Sequence, residues 1–192
     1  MPATRAGWAQ ALSEPGRHIA QLYRSPAFLA DAVGLYLAEG VRRGESCLVI
    51  AVPENRDAIL AAMARHGAEP SQLIAAGRLA LHDAEQMLSD LIDGGRIDRT
   101  RAEQVFAASL DELCGEAPLR AYGEMVMLLW RSGNAAIAVD LERVWNKLLT
   151  GRPVSLLCGY QLDHVGATFP SFSEACHEHV VVLPSEQYLE LA

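Results

Sequence analysis

The chain is short of positive charge and of long apolar runs, and each shortage removes a class of function. Lys plus Arg number 16 against 24 Asp plus Glu, a formal net charge of −8, and no stretch gathers the basic residues into a run. A nucleic-acid groove needs a basic stripe, so nucleic acid is not an expected partner. The longest apolar runs, Met125 to Trp130 and Cys47 to Val52, fall far below the roughly 18 residues of a membrane span. No membrane partner is expected. Residues Met1 to Arg5 lead into a segment broken by Pro15 and Gly16, not into an apolar core with a cleavage site, so no export signal is read. The four cysteines, Cys47, Cys114, Cys158 and Cys176, lack C-x-x-C spacing. They read as reduced thiols of a cytoplasmic protein rather than as a disulfide framework.

What is present is apolar bulk. Of 192 residues, 51% are hydrophobic, enough to bury a core without disulfides or metals. Residues 1–16, with Pro2, Gly7, Pro15 and Gly16, read as an N-terminal arm, and 17–192 as a single domain. His18 to Tyr23 reads as a strand. Ser25 before Pro26 is a helix start, with the hydroxyl at the N-cap and proline at the first helical position. Leu29, Val33, Tyr36, Leu37 and Val41 then recur at helical spacing.

Cys47 to Val52 is apolar on both faces, the pattern of a parallel strand covered on both sides, and is expected at the centre of the sheet. Pro53 opens a helix closed by His66 and Gly67, and Ser71 to Ala76 forms a short helical turn. Arg78 to His82 is a third strand, Ala84 to Ile92 a helix, and Asp93 to Ile97 a Gly-Gly loop. Thr100 and Glu103 have capping-box spacing for the helix carrying Val105, Phe106, Leu110 and Leu113.

Leu119 to Gly123 is a fourth strand, followed by a helix from Glu124 to Arg131. Asn134 caps the next, whose stripe is Ile137, Leu141, Val144 and Leu148. Val154 to Cys158 and Val180 to Leu183 complete about six strands. The alternation predicts an α/β fold, a mostly parallel sheet in three layers.

In such sheets ligands bind beyond the carboxyl ends of the strands, where strand order reverses. Tyr23-Arg24-Ser25-Pro26-Ala27-Phe28 follows the first strand where a phosphate loop would sit, and it has neither glycine nor lysine. Without glycines the backbone N–H groups cannot wrap phosphates. No G-x-S-x-G elbow and no H-E-x-x-H helix is present, so no enzyme and no cofactor is expected.

The order of blocks carries a resemblance. His18 to Tyr23, Gly44-Glu45-Ser46-Cys47-Leu48 and Gly77-Arg78-Leu79 look like the layout of RecA-like and KaiC-like domains lacking the P-loop. Arg120-Ala121-Tyr122-Gly123-Glu124-Met125, Leu141-Glu142 with Trp145-Asn146, and Leu156-Leu157-Cys158-Gly159-Tyr160 narrow it, and over residues 17–183 the chain resembles the MEDS (methanogen/methylotroph, DcmR-type) sensory family. The resemblance implies a three-layer RecA-like fold and a non-catalytic sensory domain. The implied ligand is a small hydrocarbon derivative, and the output runs through a signalling partner or a homo-oligomer, since no DNA-binding or kinase module is read in the chain. An adaptor without small ligand and a degenerate nucleotide-binding RecA-like protein are the alternatives.

The residues expected at a ligand site are His18 and Tyr23 at the ends of the first strand, Arg120 and Glu124 around the fourth, Trp130, and Cys158 and Tyr160 at the end of the fifth. Aromatic walls with few polar anchors suit a small-molecule site. Each has a structural counterpart: a packed ring, a small buried thiol, or for Glu124 a carboxylate that caps its helix or pairs with Arg120. Cys176, His177 and His179 lie close in sequence, with Asp163 and His164 nearby, but show no recurrent zinc spacing, and no metal is expected.

Overall fold

Each helix is placed by a local signal, and the sheet by strands that are apolar on both faces. A computed structural model describes residues 16–114, 117–165 and 169–186. The 1–16 arm lies outside these except for Gly16. Strand β1 (His18–Tyr23) runs into helix α1 (Pro26–Arg42), where the Ser25 hydroxyl accepts from the Phe28 N–H and proline opens the helix. Strand β2 (Ser46–Ala51) is buried along its whole length. Pro53 opens α2 (Pro53–Arg65), Pro70 opens α3 (Pro70–Ala75), and β3 spans Leu79–Asp83. Helix α4 (Ala84–Leu91) is capped by the Asp83 carboxylate, which accepts from the Gln86 N–H at 3.0 Å.

The Gly-Gly loop is the turn of a small hairpin, β4 (Ile92–Asp93) with β5 (Arg96–Ile97), and Gly94 and Gly95 both take positive φ. Helix α5 (Arg99–Cys114) starts one residue before Thr100. Its cap is Asp98, whose carboxylate accepts from the Arg101 N–H at 3.0 Å, so the Thr100/Glu103 capping box is not used. After β6 (Leu119–Gly123) come α6 (Met125–Arg131) and α7 (Ala135–Leu149). Asn134 stands at the N-cap of α7 but makes no side-chain cap bond; its amide turns back to Ser132. Strand β7 (Val154–Gln161), α8 (Leu162–Val165), α9 (Phe169–His177) and β8 (Val181–Leu183) end the described chain.

The six long strands form one sheet in the order β3-β2-β6-β7-β1-β8, and every pairing is parallel. Strand β2 lies one place in from the edge, and β6 and β7 hold the centre that was expected of β2. Helices α1 to α3 cover one face, packing Leu29, Val33, Tyr36, Ile59, Met63 and Leu73 on Ile19, Cys47, Val49, Tyr122 and Leu157. Helices α4 to α7 and α9 cover the other, packing residues such as Phe106, Leu141 and Ala175 on Ala20, Leu48, Ile50, Ala121, Leu156 and Cys158. This is the expected three-layer fold. Among the described residues no helix is long and apolar enough to cross a membrane.

Candidate functional site

The strand order fixes where a cleft can open. From β2 the chain moves outward to β3 through α2 and α3 on the first face; from β6 it moves the opposite way to β7 through α6 and α7 on the second. The two exits diverge, which leaves a crevice at the carboxyl ends of β2 and β6. Glu124, the residue after β6, closes its floor by donating its N–H to the Ile50 carbonyl at 3.1 Å.

Its side chain is buried, 4% exposed, and accepts from Asn55 Nδ2 at 3.2 and 3.1 Å. Asn55 sits in the first turn of α2, where Pro53 has just bent the chain out of β2. Burial pushes the Glu124 carboxyl up to about 7. Hydrogen bonds from Asn55 and the Val52 backbone, with the Arg131 charge, offset part of that rise, and Asp83 adds to it. Tyr23, at the end of β1, is 6% exposed. Its phenol is pushed up to about 12 by burial and by the Glu124 charge. The neighbouring Tyr122 hydroxyl is buried, with no hydrogen-bond partner among the described residues. A Cβ on Gly159 would stand 3.3 Å from that hydroxyl, so the absent side chain leaves it room.

Beside this floor is an open cleft of about 680 Å³ whose lining includes Val52, Pro53 and Leu128 together with Glu54, Asp83, Glu85 and Arg131. Three carboxylates face one guanidinium. The lining is thus more acidic than the aromatic walls expected from the sequence.

The loop at the phosphate-loop position is already engaged. The N–H groups of Ser25 and Arg24 donate to the Glu186 carboxylate at 2.7 and 3.2 Å, so the chain's own anion occupies the amino end of α1.

The other expected site residues lie elsewhere. Arg120 does not reach Glu124. It is 2% exposed on the α1 face, donating to Glu45 Oε2 at 2.6 Å and to the Tyr36 carbonyl at 2.8 Å, with its guanidinium 4.9 Å over the Tyr36 ring. Parity explains this: along β6, Arg120 and Tyr122 face α1, and only the residue beyond the strand turns into the crevice. Strand β7 runs on to Gln161, so Cys158 and Tyr160 are interior positions facing α7, not the carboxyl edge. Trp130 is buried edge-on to Tyr160 at 6.4 Å and to Phe172 at 6.3 Å.

His18, Cys158 and Tyr160 meet instead around Glu142, which sequence reasoning did not single out. Glu142 lies on the inner face of α7 between Ala138 and Trp145 and is fully buried. A carboxylate at i+4 from one buried residue and i−3 from another was its visible signal. Its Oε2 is 3.1 Å from His18 Nε2 and 3.6 Å from Cys158 Sγ; its Oε1 accepts from the Tyr160 hydroxyl and is 3.4 Å from His179 Nε2. Burial opposes charge on Glu142, but the two imidazoles outweigh it and hold the carboxyl well below the usual range. Burial and the Glu142 charge together push the Cys158 thiol and the Tyr160 phenol upward.

Of the three adjacent metal candidates only His179 joins this cluster. Cys176 stays half-buried as a free thiol, and His177 Nδ1 turns to the Ser173 carbonyl at 2.6 Å.

Comparison with known proteins bears on family and fold. The profile described as "MEthanogen/methylotroph, DcmR Sensory domain", MEDS, matches residues 17–179. Among solved structures, a KaiC-like protein of the hyperthermophilic archaeon Pyrococcus horikoshii is similar in fold. Its TM-score is 0.55 and its sequence identity 12%, over 77% of this chain and 62% of that one. No curated protein matches the sequence.

Proposed function

The chain belongs to the MEDS sensory-domain family, and from that premise we propose that it is a non-catalytic sensor. Its small organic ligand enters the cleft at the carboxyl ends of β2, β3 and β6, and the change is passed to a protein partner. The observation that carries this is Glu124. A buried carboxylate that takes its side-chain donors from Asn55 stands where the chain's exits diverge, behind a cleft open to solvent. Such a group is costly to bury, and a ligand donor would relieve that cost. The apolar lining of Val52, Pro53 and Leu128 suits an alkyl portion, and the excess of carboxylates favours a head that donates hydrogen bonds or carries positive charge. A hydrocarbon derivative with an amine or hydroxyl head meets both demands.

Against a nucleotide stand the missing glycines and lysine and the Glu186 carboxylate at the amino end of α1. The test is thermal unfolding against small methylated, hydroxylated and halogenated organic compounds, beside ATP and ADP with magnesium. A true ligand at about a hundred times its dissociation constant adds about 2.7 kcal/mol. Expected is stabilisation by a donor-bearing organic compound, lost in Glu124→Gln, and none by nucleotide. Stabilisation by nucleotide alone would overturn the reading, and silence from the whole panel would turn it toward an adaptor that works through its surface.

A further inference from the structure

The cluster around Glu142 lies on the opposite face of the sheet from Arg120 and Tyr122, and the proposed sensing cleft makes no use of it. We propose that His18, Glu142, Cys158 and His179 form a four-coordinate site for a zinc-class divalent transition-metal ion. One donor atom from each lies within 4.8 Å of all the others, and all four residues are buried. With Glu142 Oε2 as the carboxylate donor, His18 Nε2 stands 3.1 Å from it, Cys158 Sγ 3.6 Å from it, and these two 3.5 Å apart, while His179 Nε2 lies 3.4 Å from Oε1 of the same carboxylate. Metal–ligand distances of about 2.0–2.3 Å give tetrahedral edges of about 3.3–3.7 Å, so His18, Glu142 Oε2 and Cys158 already stand close to one face of a zinc tetrahedron, with His179 within 4.8 Å as the fourth donor. Two imidazoles, a thiolate and a carboxylate are the donor set of zinc or cobalt, not of magnesium or calcium.

The surrounding groups aim these atoms. His18 Nδ1 is 2.8 Å from Asn146 Oδ1, and that amide is itself oriented, since its Nδ2 donates at 2.8 Å to the Glu178 carbonyl and carboxylate. His179 Nδ1 is 2.7 Å from the Ala175 carbonyl. Both Nδ1 atoms face acceptors and must carry protons, which turns both Nε2 atoms inward. Tyr160 occupies Glu142 Oε1 as a donor and leaves Oε2 to face His18 and Cys158. The ring centroids of His18 and His179 stand only 4.1 Å apart.

Charge gives the second argument. Without an ion, two imidazoles converge on one carboxylate, and the buried His179 Nε2, though 3.4 Å from it, makes no aligned hydrogen bond. A divalent cation with one carboxylate, one thiolate and two neutral imidazoles sums to zero charge. That is the least costly state for a fully buried group of this composition. Binding displaces the Cys158 thiol proton, and the ion would tie β1, β7, α7 and the α9–β8 connection to one point.

The full chain, stripped with a chelator under reducing conditions, tests this with Zn²⁺ and Co²⁺ as probes. Expected are one retained ion per chain, a raised unfolding temperature, and for Co²⁺ the strong visible bands of a tetrahedral ion with a near-ultraviolet thiolate charge-transfer band. Cys158→Ser should abolish the charge-transfer band. His179→Gln should weaken Zn²⁺ at least about tenfold, while Cys176→Ser and His177→Asn change neither readout. A folded wild-type chain that retains no ion would overturn the site. So would a Co²⁺ spectrum without charge transfer, or binding that depends on Cys176 and not on Cys158. Glu124→Gln should leave the ion in place, so failure here and failure of the sensing cleft are separately visible.

Discussion

Glu124 bears on stability as well as on binding. Its carboxyl sits at about 7 in the folded chain against 4.5 in the ordinary state. A raised carboxyl means that the folded form holds its proton where the unfolded form has released it. The stability this lends is full below about pH 4.5 and is lost as pH rises through 7. Above that window the fold carries a buried charge that Glu124→Gln lacks. We expect the variant to match the wild type in urea unfolding near pH 4.5 and to exceed it by up to about 3 kcal/mol at pH 8; equal stability at both values would mean that the carboxylate is solvated. Arg120 shows the opposite case, a buried charge fully matched by Glu45 and the Tyr36 carbonyl. A Cβ on Gly40 would stand 2.6 Å from Arg120 Cδ, so the glycine in α1 is what lets the guanidinium cross beneath the helix. The sequence marked His18, Glu124, Cys158 and Tyr160 as residues of interest, but it could not assign their partners. His18 and Glu142 are brought together only by the stacking of α7 on β1, and nearness in sequence pointed His179 toward Cys176 and His177 instead.

Elements were easier to read than residues because their signals are local. Ser25-Pro26 and Pro53 each act within one turn, and the helices they open are the ones observed. Two misreadings have different physical sources, a rival cap two residues away and a partner strand far off in the sequence. Asp98 outcompeted Thr100 for the cap of α5 because its carboxylate reaches the Arg101 N–H. Strand β7 outran its expected end because Leu22 and Tyr23 of β1 pair alongside Tyr160 and Gln161. The contact of α1 with α2 yields a sharper expectation. At Gly34 a Cβ would fall 2.4 Å from Ala62 Cβ and 2.8 Å from the Met63 backbone nitrogen. Backbone cannot give way as a side-chain tip can, so Gly34→Ala must push the helices apart. It should cost about 1–3 kcal/mol in urea unfolding, and an unchanged midpoint would show that the pair slides freely on the sheet.

The order of strands makes the two ends of the chain depend on each other. Strand β1 opens the sheet in sequence, yet its neighbours are β7 and β8, so His18 pairs with Leu156 and Ile19 with Val181. Every ladder bond that β1 makes therefore waits for residues more than a hundred positions away, and the part of the α1 face that packs on β1 waits with it. The Glu142 cluster repeats the pattern, with donors from β1, α7, β7 and the α9–β8 connection. A fragment ending at residue 150 keeps β2, β3 and β6 and all of α1 to α7, most of the helical surface, but it leaves β1 with no partner on either side. Buried backbone N–H and C=O groups without partners are too costly to keep. The fragment should show no cooperative thermal transition, whereas the full chain should unfold in one step by circular dichroism and by tryptophan fluorescence alike. A fragment that unfolded cooperatively would mean that β2, β3 and β6 with their helices form a folding unit of their own. In that case β1, β7 and β8 would be a separable side of the sheet, docked on a unit that folds without them.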